Sequence, residues 1–200
     1  MCGIVVLFLK DKALEPELGR LTAAMLHEMC GRGPDSAGFA IYGSASDGTS
    51  KICAVRRASA LDWADVAARL GEATGSKVTY ETIEDHAIIR IDGDGVAARA
   101  WLIENVPEAT VLSEGEAIEI YKGIGDPDAI SQRLRLASFS GTHAIGHTRM
   151  ATESAVTIAG SHPFSTGRDT CLVHNGSLSN HNRLRETLRR RDARSRTPII

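Results

Sequence analysis

Apolar positions divide the first quarter of the chain into predicted strands and one helix. A continuous apolar run at 2–9, CGIVVLFL, predicts a strand buried on both faces. Apolar residues at helical spacing predict a helix over 15–30. The turn-forming segment RGPDSAG precedes a second apolar strand, GFAIY. A turn at 44–48 and the apolar run KICAV at 51–55 predict that this second strand forms a hairpin with the third.

The rest of the chain alternates helical and strand patterns. Two apolar runs, HAIGHTR at 143–149 and TCLVHNG at 170–176, end in polar residues. Strand ends that deliver polar groups are common places for functional sites, so both ends are candidates. Further helices are predicted over 61–70 with Gly71 as the stop, over 95–105, from Asp126 to about 136, and from 180 after Ser179; further strands are predicted over 77–83, 86–91 and 117–121.

Composition limits the class of protein. Two hundred residues with 42% hydrophobic and 24% charged residues predict one soluble globular domain. Aromatic residues make up only 4%, which argues against a base-stacking nucleic-acid module. No apolar run approaches the roughly 20 residues that span a membrane, and the N-terminus has no basic segment typical of a signal peptide. We therefore expect a cytoplasmic protein that binds neither nucleic acid nor membrane.

Cysteine chemistry draws attention to the N-terminus. No pair among the four cysteines has the C-x-x-C spacing of zinc or redox sites, so we expect Cys30, Cys53 and Cys171 to be small buried residues without a metal. Cys2 follows an initiator methionine, which aminopeptidases remove before a small residue. The freed α-amine, with a pKa of about 7.7–8.0, can accept the thiol proton, so one residue supplies nucleophile and base. The alternative is that Cys2 merely begins a buried strand.

Three later motifs place polar groups where a substrate could be held. An arginine three residues before a threonine, Arg149 and Thr152, can grip a carboxylate by a bidentate fork and a hydroxyl. Pro163 restricts the backbone of the preceding His162, and this fixes the direction of the ring. The dipeptide Asn175-Gly176 is a turn signal, and its side-chain amide and backbone N–H can also form a two-donor oxyanion hole.

Each motif alone has a simpler interpretation, such as a surface turn or a loop ion pair between Arg32 and Asp35. In series, however, MCGI, RGPDSAG, GHTRMAT, SHPF and VHNGSLSN resemble the class II glutamine amidotransferases over about residues 2–182. The resemblance implies an α+β fold, the four-layer αββα sandwich of the N-terminal-nucleophile hydrolases.

The same resemblance implies a reaction and a set of site residues. The N-terminal thiol attacks the side-chain amide of L-glutamine, the thioester is hydrolysed to glutamate, and the released ammonia passes to a synthase site elsewhere. The residues assigned in this way are Cys2, Asn175 and Gly176 for catalysis, and Arg149, Thr152, His162 and Arg32 for substrate binding or for shaping the pocket.

The stretch between Gly38 and Gly146 is longer than the simplest family members need. We therefore predict an inserted α/β subdomain at about 58–137 within an amidotransferase domain over 1–190. Such an insertion in a short chain resembles the glutaminase subunit of split glutamate-synthase-like enzymes, with N-methylglutamate synthase as the nearest example. The resemblance implies synthase subunits as partners, with flavin and iron–sulfur centres in those partners and no cofactor in this chain.

The C-terminal end departs from the family pattern. Residues 183–196 hold seven arginines against Glu186 and Asp192, a net charge of +5, whereas the remainder carries −7. Family members hold the substrate amine with an acidic residue in a D-T-E-like segment beyond the Asn-Gly turn, and here Asp192 lies in a different context. We interpret 188–200 as an atypical tail left by truncation or a frameshift after about Thr187.

Three hypotheses about activity follow from this departure. The first is an active glutaminase subunit. Because an unpaired substrate ammonium is costly, we expect its activity in this chain to be weak or absent. The second is a catalytically inactive fragment or an assembly subunit of the same complex. The third is nucleic-acid binding through the basic tail, which ranks last because the rest of the chain is acidic.

Overall fold

The computed structural model describes residues 2–45, 48–57, 60–151, 155–176 and 180–190. Ser179 and the tail at 191–200 lie outside the described residues. The strands are β1 (Gly3–Phe8), β2 (Ser36–Tyr42), β3 (Thr49–Arg56), β4 (Val78–Ile83), β5 (His86–Asp92), β6 (Ala109–Gly115), β7 (Ile118–Ile124), β8 (His143–Arg149), β9 (Phe164–Gly167) and β10 (Thr170–Leu172). The α-helices are α1 (Leu18–His27), α2 (Trp63–Thr74), α3 (Gly95–Asn105), α4 (Pro127–Arg133) and α5 (His181–Arg190).

The strands form two antiparallel four-stranded sheets and one small hairpin. Sheet A has the order β1-β8-β2-β7, sheet B has the order β4-β5-β3-β6, and β9 pairs with β10. Helices α1 and α4 pack on sheet A, and helices α2 and α3 pack on sheet B. Apolar side chains of β2 and β7 meet those of β3 and β6 between the sheets. The predicted four-layer αββα sandwich is confirmed.

The predicted hairpin between the second and third strands is wrong. β2 pairs with β7 and β8 in sheet A, whereas β3 pairs with β5 and β6 in sheet B. Both strands are apolar and buried on both faces, and each is a central strand of its own sheet, so the chain passes from one sheet to the other between them. β6 was not predicted, because its sequence ATVLSEG mixes apolar residues with serine, glutamate and glycine.

Two local expectations also change. α2 begins after Asp62, whose side chain accepts the N–H of Ala64, and it continues through Gly71. It ends at Thr74 and is capped by Gly75, which adopts the left-handed conformation with φ of 64°. The predicted helix over 15–30 is confirmed in part as α1, which follows a short 3-10 turn at Lys12–Glu17. None of the described helices is long and apolar enough to cross a membrane.

β1 is an edge strand, and only one of its faces is covered. Val5 is buried beneath α1, but Val6 and Phe8 are 57% and 63% exposed. The prediction of a strand buried on both faces is therefore wrong for the described part of the chain. The apolar composition of a strand does not show whether it is central or at an edge. Nor does it show whether the second sheet extends far enough to cover its other face.

The other edge of sheet A is closed by side chains of sheet B. The buried thiol of Cys53 donates to the carbonyl oxygen of Ile120 at 2.8 Å, and the N–H of Lys122 donates to His86 Nε2 at 3.2 Å. No strand in the described part of the chain pairs with this edge of β7, and these bonds satisfy polar backbone groups there. The segment at about 58–137 thus shares both sheets with the strands before it, and its origin as an insertion stays a prediction.

Candidate active site

The predicted motifs meet at one end of sheet A. Antiparallel pairing sets Gly3 opposite Thr148, and Ser36 opposite Arg149. The start of β1, the end of β8 and the start of β2 are therefore neighbours, so Cys2 lies beside the GHTRMAT and RGPDSAG segments. Sequence patterns that are more than one hundred residues apart supply one site because β8 lies between the other two strands.

The nucleophile candidate contacts the oxyanion candidate directly. Asn175 Nδ2 donates to the carbonyl oxygen of Cys2 at 2.8 Å, across 173 residues of sequence. The thiol of Cys2 is half-buried, with Sγ 3.9 Å from the carbonyl oxygen of Met150. A side-chain amide carries two protons, so Asn175 retains one for a second acceptor.

A pair of buried histidines supports the Asn-Gly turn. His147 Nε2 lies 3.1 Å from the carbonyl oxygen of His174, the residue before Asn175. Its ring is 4.3 Å from that of His162, which also packs edge-on against Phe164 at 4.5 Å. Since a carbonyl can only accept, His147 carries its proton on Nε2 and holds the turn in place.

Desolvation keeps both buried histidines neutral. Burial lowers the pKa of His147 to about 4, although its hydrogen bond to His174 acts in the opposite direction. Burial likewise lowers the pKa of His162 to about 3, and the positive charges of Lys122 and Arg149 add to the effect. The Nδ1 atoms of both rings are buried and have no hydrogen-bond partner within the described residues. Neither ring is suited to carry charge in this position.

Arg149 ends β8 in a buried position, where the RGPD loop holds its backbone. Its guanidinium donates to the carbonyl oxygen of Ala155 at 3.2 Å. The N–H of Asp35 donates to the carbonyl oxygen of Arg149 at 3.1 Å, and the Asp35 carboxylate accepts the N–H of Ala151 at 2.7 Å. In the described part of the chain, Asp35 therefore binds the GHTRMAT backbone, and the simpler ion pair with Arg32 is not formed.

Known proteins of similar sequence point to one family. No family model matches the chain. It is 51% identical over 189 residues to the glutamine amidotransferase-like protein GlxB of Rhizobium meliloti, covering 94% of the chain and 62% of the relative. It is 35% identical over 202 residues to a candidate glutamine amidotransferase of Methanothermobacter thermautotrophicus, covering 96% of the chain and 66% of the relative. The chain belongs to the class II glutamine amidotransferases.

A more distant relative matches only one part. The glutamine–fructose-6-phosphate aminotransferase of Pseudomonas putida is 34% identical over 79 residues, which cover 40% of the chain and 13% of the relative. The chain thus spans about two thirds or less of the length of each relative named above.

The remaining predicted site residues differ in their surroundings. Asn175 and Gly176 are exposed, and a Cβ added at Gly176 would lie 3.2 Å from His174 Nε2. Arg32 is exposed and precedes Gly33, whose backbone packs against that of Arg149. Thr152 lies outside the described residues. His162 is buried, so its role as a direct ligand of the substrate carboxylate stays a prediction.

Sequence reasoning overlooked residues of this candidate site that act through backbone groups. Thr148 Oγ1 accepts the N–H of Gly3 at 3.1 Å and donates to the carbonyl oxygen of Met29 at 3.2 Å, so it ties the residue after Cys2 to the turn that follows α1. His147 and Asp35 were quoted within motifs but received no such role. Their partners are backbone atoms of distant segments, which no spacing pattern reveals.

Lys122 is a further residue that sequence reasoning did not identify. It lies opposite Gly38 on β2, which in turn lies opposite His147 on β8. Its Nζ sits 4.6 Å from the centre of the Phe164 ring, and its side chain is buried. Desolvation lowers the pKa of Lys122 to about 7, so this lysine is partly neutral at physiological pH.

Proposed function

We propose that this chain is a glutaminase domain that hydrolyses L-glutamine to glutamate and ammonia through a thioester on Cys2. The observation that carries the proposal is the 2.8 Å contact between the Asn175 side-chain amide and the backbone of Cys2. An N-terminal thiol beside a side-chain amide donor is the combination that acyl transfer requires: a nucleophile with its own base and a group that stabilises the oxyanion.

The proposed chemistry begins when the Cys2 α-amine accepts the thiol proton. The sulfur then attacks the side-chain carbonyl carbon of glutamine, and the carbonyl oxygen becomes an oxyanion. Asn175 Nδ2–H and the Gly176 N–H donate to this oxygen. The ammonium group returns its proton to the leaving nitrogen, ammonia departs, and a glutamyl thioester remains. Water, activated by the same amine, releases glutamate and restores the thiol.

Arg149 is the proposed ligand of the substrate α-carboxylate, with Thr152 as a hydroxyl partner. The burial of Arg149 supports this role, because charge-assisted hydrogen bonds strengthen where water is excluded. The bonds from Asp35 to the backbone on both sides of Met150 hold the end of β8 in register. His162, neutral and packed on His147, supports this region from beneath.

Ammonia from this site would be used by a synthase subunit, as in glutamate-synthase-like complexes such as N-methylglutamate synthase. The high identity to GlxB, which spans the predicted insertion, supports a shared specialised architecture. The chain spans 62% of that relative's length, so we propose the ammonia acceptor and the partner subunits from the family resemblance.

Glutamate formation from glutamine tests the proposal. The full chain should release glutamate in a Cys2-dependent manner, with Cys2→Ser losing most of the turnover. Cys171→Ser is the matched control, because this half-buried thiol accepts a hydrogen bond from the Tyr42 hydroxyl and has no role in the proposed reaction. A folded protein whose glutamate release is the same in the parent and in Cys2→Ser would contradict the proposal.

A further inference from the structure

Three metal-ligating side chains of different types meet on the surface where α1 ends against α4. They are His27, Cys30 and Asp128, and their ligand atoms all lie within 4.8 Å of one another. His27 is the last residue of α1 and Cys30 follows three residues later, whereas Asp128 is in the first turn of α4, 101 residues from His27. The C-x-x-C criterion could not detect this group, because the fold brings its third member from a distant segment.

We propose that His27, Cys30 and Asp128 form a site for a divalent transition metal, with Zn²⁺ as the preferred ion. One imidazole nitrogen, one sulfur and one carboxylate oxygen match the donor types of zinc, and water would complete a tetrahedral shell. Zinc–ligand bonds of about 2.0–2.3 Å place tetrahedral donor atoms about 3.4–3.6 Å apart. In the structure His27 Nδ1 and Asp128 Oδ2 are 2.6 Å apart, and all three ligand atoms lie within 4.8 Å of one another, so shifts of about 1 Å bring them to that spacing.

Exposure favours a metal over a purely structural contact. The side chains of His27 and Asp128 are 65% and 36% exposed, which leaves an entry path and lets both move by the roughly 1 Å that coordination needs. A simple ion pair explains the approach of His27 to Asp128 but not the thiol beside them. The Cys30 thiol, which donates to the carbonyl oxygen of Leu26 at 3.6 Å, lies within 4.8 Å of the ligand atoms of both.

The position of the site links it to the N-terminus. Met29 lies between two of the ligands, and its carbonyl oxygen accepts the Thr148 hydroxyl, which in turn accepts the N–H of Gly3. A metal that fixes His27 and Cys30 would therefore stiffen the segment that supports the residue next to the nucleophile. Metal binding itself is independent of the proposed glutaminase activity and can be tested without it.

Cobalt substitution reads out the ligands directly. The full chain, in a Cys2→Ser background, is titrated with Co²⁺ under a phosphine reductant, because an N-terminal cysteine is itself a chelator. We expect one equivalent to bind with a thiolate-to-cobalt charge-transfer band and the intense visible bands of tetrahedral cobalt. Zn²⁺ should displace it stoichiometrically.

Single substitutions decide between this site and others. Cys30→Ser should abolish the charge-transfer band, and His27→Gln and Asp128→Asn should each weaken binding by more than about tenfold. Cys171→Ser and His143→Gln are matched controls outside the proposed metal site and should change nothing. Persistence of the charge-transfer band in Cys30→Ser, or no saturable binding at about 1 mM Co²⁺, would overturn the proposal. Far-ultraviolet circular dichroism checks that each variant is folded.

Discussion

Acidification from pH 7 to pH 5 should destabilise this fold through His147 and His162. Burial lowers the pKa of His147 to about 4 and that of His162 to about 3, from an ordinary value of 6.5. The two rings face each other at 4.3 Å, and the charges of Lys122 and Arg149 further disfavour a proton on His162. Both histidines are therefore neutral in the folded protein at neutral pH.

The sign of the effect follows from proton uptake on unfolding. Below pH 6.5 the unfolded chain protonates both histidines and the folded protein does not, so stability falls as the pH falls towards each folded pKa. If both histidines shift by the full amount, the free energy of unfolding falls by about 4 kcal/mol between pH 7 and pH 5. Residual solvent access to the rings weakens the effect, so we expect a loss of about 2 kcal/mol. Lys122 adds little to this loss. Its folded pKa is about 7, so most of its effect on the free energy of unfolding develops above pH 7.

Urea unfolding at the two pH values measures this loss as a change in the free energy of unfolding. The comparison is the double variant His147→Gln, His162→Leu, in which glutamine keeps a donor for the His174 carbonyl and neither side chain titrates. His27, whose pKa Asp128 raises, acts in the opposite direction but is present in both proteins. Equal pH dependence in the parent and the double variant would refute the reasoning.

Four further predictions concern the site and its support. Asn175→Ala should lower kcat for glutamate release by about 10²–10³ with little change in KM, because the oxyanion loses a donor; a change in KM alone would show that the role is wrong. Arg149→Lys should mainly raise KM, since the fork geometry is lost, and unchanged steady-state kinetics would contradict this. Gly38→Ala places a methyl group 2.2 Å from the His162 carbonyl oxygen and should cost about 1–3 kcal/mol in urea unfolding, whereas an unchanged midpoint would contradict the packing. Intact-mass measurement of active protein should show that Met1 is absent, and full activity with Met1 retained would exclude the amine as the base.

Local patterns predicted the individual strands of this fold better than their partners. HAIGHTR and GFAIY were predicted as strands because short apolar runs bounded by turn residues favour extended backbone, and β8 and β2 confirm both. The assignment of β2 and β3 to different sheets was not predictable from their sequences. Both read as central strands, and pairing depends on contacts with β5, β6, β7 and β8 that lie far along the chain.

The site was predictable where a side chain itself carries the chemistry. Cys2 and Asn175 have side chains whose chemistry suggests their roles, and the structure brings them into contact. Thr148 and His147 act by bonding backbone atoms of other segments, so their contribution depends on the fold. The burial of Lys122 is likewise a tertiary effect, because an isolated lysine in a strand normally predicts an exposed face.

The most direct test of the central claim is covalent labelling with a glutamine analogue that carries a diazoketone in place of the side-chain amide. The full chain should take up one equivalent, which excess glutamine blocks, and peptide mass spectrometry should locate it on the sulfur of an N-terminal Cys2. Label on Cys30 or Cys171, or no glutamine-protected label on a folded chain that has lost Met1, would contradict the assignment of Cys2 as the nucleophile.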